Sequence, residues 1–127
     1  MPREPFEYAL LRVAPRVERG ELVNVGVVVY CQARDLLRCA GHLDRRRLLA
    51  LYPDLDVVAA EAALAAVHDV CEGNAEAGSA ARAPLGTRFG FLTAPRSTVI
   101  QPGPVHGGIT TDPDSVLDSL MQALVLG

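Results

Sequence analysis

Lysine is absent from this chain of 127 residues, so all twelve basic side chains are arginine. A Walker-type phosphate loop, a Schiff-base nucleophile and a self-sufficient protein-kinase site each need an ammonium group at a defined place, and these chemistries are excluded. Cysteine is scarce as well: Cys31, Cys39 and Cys71 are odd in number and show no CxxC spacing, which points to reduced buried thiols rather than a disulfide framework or a zinc knuckle. No apolar run approaches the roughly 18 residues of a membrane span. The start, Met1-Pro2-Arg3-Glu4-Pro5, lacks the apolar region of a signal peptide, so a cytoplasmic protein without a membrane partner is expected. Aromatic residues make up 5% of the chain and the net charge is −3, and both weigh against nucleic acid as a partner.

What is present is the composition of an ordinary globule, half apolar and 21% charged, long enough for one domain over 1–127 that needs no covalent or metal staple. Residues 6–13 read as a strand interrupted by Glu7 and Arg12. Residues 22–31 read as a central strand covered on both faces, with a Gly20 turn making the two an antiparallel hairpin. Residues 36–41 are a third strand. Asp44 caps a short helix closed by Pro53; Asp56 caps a longer one with Val57, Ala60, Leu64, Val67 and Cys71 on one stripe and Gly73 past its end. Residues 74–86 have no periodic face and read as a flexible connection. Strands are expected at 89–92 and 98–101 around Ala94-Pro95, then a Gly/Pro-rich loop over 102–108. Asp112-Pro113 starts a last helix whose apolar face is Val116, Leu117, Leu120, Met121 and Leu124. The sum is an α+β domain: a mainly antiparallel sheet of three to five strands with two or three helices packed against it.

Polar groups concentrate in two blocks. In the first, Arg16 and Arg19 flank Glu18; they make either a guanidinium fork for phosphate or carboxylate, or exposed pairs with Glu18 and Glu21 worth about 0 to 1 kcal/mol. Asn24 lies inside an apolar strand and must be hydrogen-bonded, to backbone or to a ligand, because an unsatisfied buried amide costs about 1 to 3 kcal/mol. Gly26 leaves room for close approach of another segment or a ligand. The second block runs from Arg88 through Arg96, Ser97, Thr98 and Gln101 to His106 and Asp112. It offers a guanidinium, two hydroxyls and an imidazole to an anion, or else hydroxyls that satisfy turn backbone and glycines, Gly107 and Gly108, at positive φ. The two blocks are expected to meet in space, with the Arg96 guanidinium and the side chain of Asn24 or Arg16 at one shared cleft. His42, His68 and His106 show no metal-ligand spacing, His68 and Glu72 read as a solvated pair, and Ser97 with His106 lacks a nucleophile elbow; no catalytic residue, metal or cofactor is assigned.

Residues 8–16, 20–27, 88–91, 94–102, 104–106 and 111–113 carry a resemblance over nearly the whole chain to a bacterial family catalogued as domain of unknown function 3037. The resemblance implies a cytoplasmic protein often encoded beside a HipA-like kinase, with no particular activity. The leading expectation is an accessory or regulatory module that binds a partner protein, plausibly such a kinase, through the Arg16/Arg19 and Arg96-to-His106 surface. The competing one is a small enzyme or binding protein for a phosphate-containing or nucleotide ligand at the same surface.

Overall fold

Residues 2–15, 20–96 and 98–127 are described by a computed structural model. In strand β1 (Glu4–Val13), Ala9, Leu11 and Val13 are buried on one face, while Phe6, Tyr8, Leu10 and Arg12 are half-buried on the other, the two-residue period of a strand. β2 (Val23–Cys31) pairs antiparallel with β1, and its valine run is continuous because both of its faces are covered. β3 (Leu36–Gly41) lies on the far side of β2. β4 (Ile100–Pro102) and β5 (His106–Thr110) share the other edge of β1, β4 against residues 11–13 and β5 against residues 4–8. All of these pairings are antiparallel, and the sheet has five strands.

A bulge interrupts the β1–β2 ladder. Leu11 faces Gly26 and Arg12 faces Asn24, so Val25 is an extra residue on β2. Gly26 is required there: a Cβ would lie 2.7 Å from the Ala40 carbonyl oxygen of β3, so the close approach is by a neighbouring strand.

Helices α1 (Arg45–Leu51), α2 (Val57–Glu72) and α3 (Leu85–Thr93) cover one face of the sheet, where Leu48, Ala60, Val67, Phe89 and Leu92 pack on Ala9, Leu11 and Val28. Asp44 and Asp56 cap as expected, each accepting at 3.0 Å from the amide three residues on, Arg47 and Ala59. Gly73 closes α2 at φ 76°. The other face carries α4 (Pro113–Met121), which lies over β2 and β3 with Val116 and Met121 on Val27 and Val29.

Four departures from the sequence reading have physical causes. Residues 89–92 belong to a helix, α3, rather than a strand: Leu85, Phe89 and Leu92 recur at helical spacing, and Phe89 and Leu92 are buried against the sheet, which overrides the strand preference of a Phe-Gly-Phe stretch. The described residues therefore form four α-helices. The strand read at 98–101 is shorter, beginning two residues later and ending one later, as β4. Within the expected loop 102–108, residues from His106 onward form β5, with neither Gly107 nor Gly108 at positive φ; Gly108 is instead the floor for the Phe6 ring, which leaves no room for a Cβ there. The C-terminal apolar face ends at Val125 rather than Leu124, because a π-type turn over Gln122–Leu126 widens the helix and shifts the seam by one residue. The connection after α2 is wound into short 3-10 turns at Ala75–Ala77 and Ser79–Arg82, with Ala81 buried.

Candidate functional site

Among the described residues, Asn24 and Arg96 do not share a cleft. Asn24 pairs across the ladder with Arg12 on the α4 face of the sheet, whereas Arg96 lies on the opposite side in a small cavity with Leu11, Ala63, Val67 and Leu92. The separation follows from strand parity, since Arg96 leads into Ile100, whose partner Val13 points into the α1–α3 core. Arg16, Glu18, Arg19 and Ser97 lie outside the described residues.

Several of the remaining candidates are occupied with local structure. Arg88 is half-buried and donates from Nε to the Ala83 carbonyl at 2.9 Å and from Nη1 to the Cys71 and Val70 carbonyls at 3.1 and 3.5 Å, so its charge caps the C-terminal end of α2. Arg96 folds back on its own turn, donating to the Ala94 carbonyl at 3.3 Å and to the Phe91 carbonyl, with its guanidinium 5.0 Å from the Phe91 ring centre. The Thr98 hydroxyl donates to the Ile100 carbonyl at 2.5 Å. Asp112 precedes α4 but makes no side-chain cap; its carbonyl accepts from the Ser115 amide and hydroxyl while its amide donates to the Thr110 hydroxyl. Asn24 donates from Nδ2 to the Leu124 carbonyl at 3.2 Å, tying the last helical turn to β2. His68 and Glu72 form the expected exposed pair at 3.7 Å, and Arg45 reaches from α1 to Glu61 of α2 at 2.6 Å.

Two candidates, Gln101 and His106, stand on the same sheet face as Asn24, and both border residues of β1. Gln101 of β4, Arg12 of β1 and Asn24 of β2 form one row across three strands, paired Gln101 to Arg12 and Arg12 to Asn24. The Arg12 guanidinium rests on Gly103, where an added Cβ would meet its Nη2, carbon and Nε at 3.1, 3.2 and 3.3 Å. Its Nε is buried and has no hydrogen-bond partner among the described residues. Four residues along β1, about 13 Å away at the rise of a strand, Tyr8 pairs with His106, their ring centres 5.3 Å apart and inclined at 35°. Phe6 follows, 6.1 Å from Tyr8. Next to Asn24, a cavity of about 170 Å³ is lined by His42, Asp44, Arg47, Leu48 and Val125.

The face therefore presents an arginine whose Nε has no acceptor among the described residues, two amides and an imidazole beside half-buried aromatic rings. Its outer border is the edge strand β5, whose His106 and Gly108 share this face with Tyr8 and Phe6, while Ile109, paired with Pro5, points to the opposite face. No group of three or more His, Cys, Asp and Glu among the described residues could hold a metal ion, and no described helix is long and apolar enough to cross a membrane. Sequence reasoning missed Arg12, Tyr8 and Phe6. The signal was there for Arg12: a charge interrupting an apolar strand is a buried polar group in need of a partner.

Residues 8–125 of the 127 match the family described as protein of unknown function (DUF3037), and the chain belongs to that family. No curated protein and no solved structure matches the chain.

Proposed function

We propose that this DUF3037 member is a binding module that docks a partner protein on the sheet face carrying Tyr8, Arg12, Gln101 and His106, with Arg12 receiving an acidic group of that partner. The observation that carries the reading is the Arg12 guanidinium, set on Gly103 between two amides and lacking any acceptor for its buried Nε among the described residues. An unsatisfied buried donor costs about 1 to 3 kcal/mol in the free protein, a cost that an incoming carboxylate or phosphate removes. A planar fork suits either oxyanion.

The partner to test first is the HipA-like kinase that the family resemblance suggests. Co-expressed with it, the wild-type chain is expected to co-purify, and Arg12→Met is expected to weaken the complex at least tenfold while leaving the fold intact, since methionine keeps the apolar stem and removes an unsatisfied group. A complex whose affinity is unchanged by Arg12→Met combined with His106→Ala would refute docking at this face. The Tyr8–His106 ring pair, four residues along β1 from the guanidinium on the same face, also favours a second reading, a nucleotide or other phosphate-bearing small ligand spanning the two. Calorimetry with nucleotides and inorganic phosphate separates the two: saturable heat that is lost in Arg12→Met supports the ligand, and no heat with any of them removes it.

A further inference from the structure

Cys39 and Cys71 lie well apart in sequence and meet on the helical side of the sheet. Cys39 points from β3 and Cys71 from the last turn of α2; Cys71 is buried in the main core, and Cys39 is half-buried against the same core. The two elements are in close contact, for a Cβ at Gly41 of β3 would strike the Leu64 side chain of α2 at 2.7 Å. Running back two residues from Gly41 along β3 and forward two helical turns from Leu64 brings the chain to Cys39 and Cys71, both packed in the same core and close enough for each thiol to influence the other.

We propose that Cys39 and Cys71 are a reversible dithiol–disulfide site that staples β3 to α2 when the protein meets a peroxide. Access exists from both sides: Cys71 lines a cavity of about 390 Å³ with Arg34, Arg38, Glu72 and Arg88, and Cys39 lines another of about 330 Å³ with Leu64 and His68. Their environments divide the labour. The neighbouring Cys39 thiol, helped by the Arg88 guanidinium, holds the Cys71 thiol below the usual cysteine range against burial and Glu72, whereas Cys71, burial and Glu72 push Cys39 up. Cys71 is the attacking sulfur and Cys39 the resolving one.

The chemistry balances as follows. The Cys71 thiolate attacks one oxygen of hydrogen peroxide, the O–O bond breaks, and the departing hydroxide takes up the proton that Cys71 gave up, leaving a sulfenic acid and one water. The Cys39 sulfur then displaces hydroxide from the Cys71 sulfur, its own proton completing a second water. The sulfurs lose two electrons and the two peroxide oxygens gain them; an external thiol reverses the step by exchange. Cys31, on β2, donates to the Pro5 carbonyl at 3.5 Å and takes no part.

The test uses the wild-type protein. Arginines at 34, 38, 45, 46, 47 and 82 place Cys31, Cys39 and Cys71 in three different peptides after cleavage at arginine. After brief peroxide treatment and alkylation in denaturant, the Cys39 and Cys71 peptides are expected to be joined with loss of two hydrogens, Cys31 to be alkylated, and dithiothreitol to release both. The melting midpoint should rise by roughly 10 °C on oxidation, as closing this loop constrains the unfolded chain. Cys39→Ala should instead leave Cys71 as a sulfenic acid that dimedone traps, and Cys31→Ala should behave as wild type. Full alkylation of Cys39 and Cys71 after peroxide, or a link that involves Cys31 or a second chain, would overturn the proposal.

Discussion

Replacing Gly26 by alanine tests how tightly the bulge is fitted to its neighbour. The new methyl would stand 2.7 Å from the Ala40 carbonyl oxygen, 3.2 Å from Leu11 Cδ1 and 3.4 Å from the Gly41 Cα. The nearest atom is backbone of a paired strand, so relief requires β3 to shift by several tenths of an ångström along six paired residues. Overpacking of this kind costs about 1 to 3 kcal/mol. The reduced freedom of alanine in the unfolded chain returns about 0.4 to 1 kcal/mol. The expected net loss of about 1 to 2 kcal/mol corresponds to a melting midpoint lower by roughly 3 to 10 °C, read by thermal circular dichroism and by a urea midpoint that falls at constant slope. Gly41→Ala is the matched control. Its methyl would also come within 2.7 Å of an atom, but that atom is the Leu64 side chain, half-buried and able to change rotamer. Its cost should stay below about 1 kcal/mol. If Gly26→Ala is as stable as the wild type, or no worse than Gly41→Ala, the close β2–β3 approach at the bulge is wrong.

Arg88→Ala strips three donations from the carbonyls that end α2 and follow it, at 2.9, 3.1 and 3.5 Å, and is expected to lower stability by about 2 kcal/mol in chemical denaturation; Arg88→Lys should recover little of this because a point charge cannot span carbonyls on two segments. Asn24→Ala removes the one bond from β2 to the Leu124 carbonyl, so amide exchange over 122–126 should accelerate several-fold while the β1–β2 ladder keeps its protection.

Local signals in the sequence were sufficient wherever a segment's own residues decide its shape. Asp44, Asp56 and Gly73 mark helix ends by chemistry that needs no tertiary partner, and the valine run of β2 announces a strand covered on both faces. Misreadings fall where a distant segment decides. Residues 89–92 carry two phenylalanines separated by a glycine, which suits a strand, yet Phe89 stacks on Tyr30 with ring centres 5.4 Å apart, and only a helix delivers Phe89 and Leu92 to that side together. His106 to Gly108 are loop-like in composition and become a strand because β1 extends beyond β4 and leaves residues 4–8 without an edge partner.

The candidate site was half-legible for the same reason. Arg12 and Asn24 each read as a polar intrusion into an apolar strand, but nothing local says that they are neighbours. The bulge is what joins them. Without the extra Val25, the register that pairs Leu11 with Gly26 would set Arg12 against Val25 and Asn24 against Val13, turning the Asn24 amide into the core beneath α1 and α2. With it, Asn24 rotates to the α4 face and completes the row with Gln101, while Val25 joins Val28 in the core. One inserted residue thus keeps the apolar face of β2 continuous and moves its single amide beside the Arg12 guanidinium, whose Nε has no partner among the described residues, which is why the polar row lies on the α4 face rather than in the core.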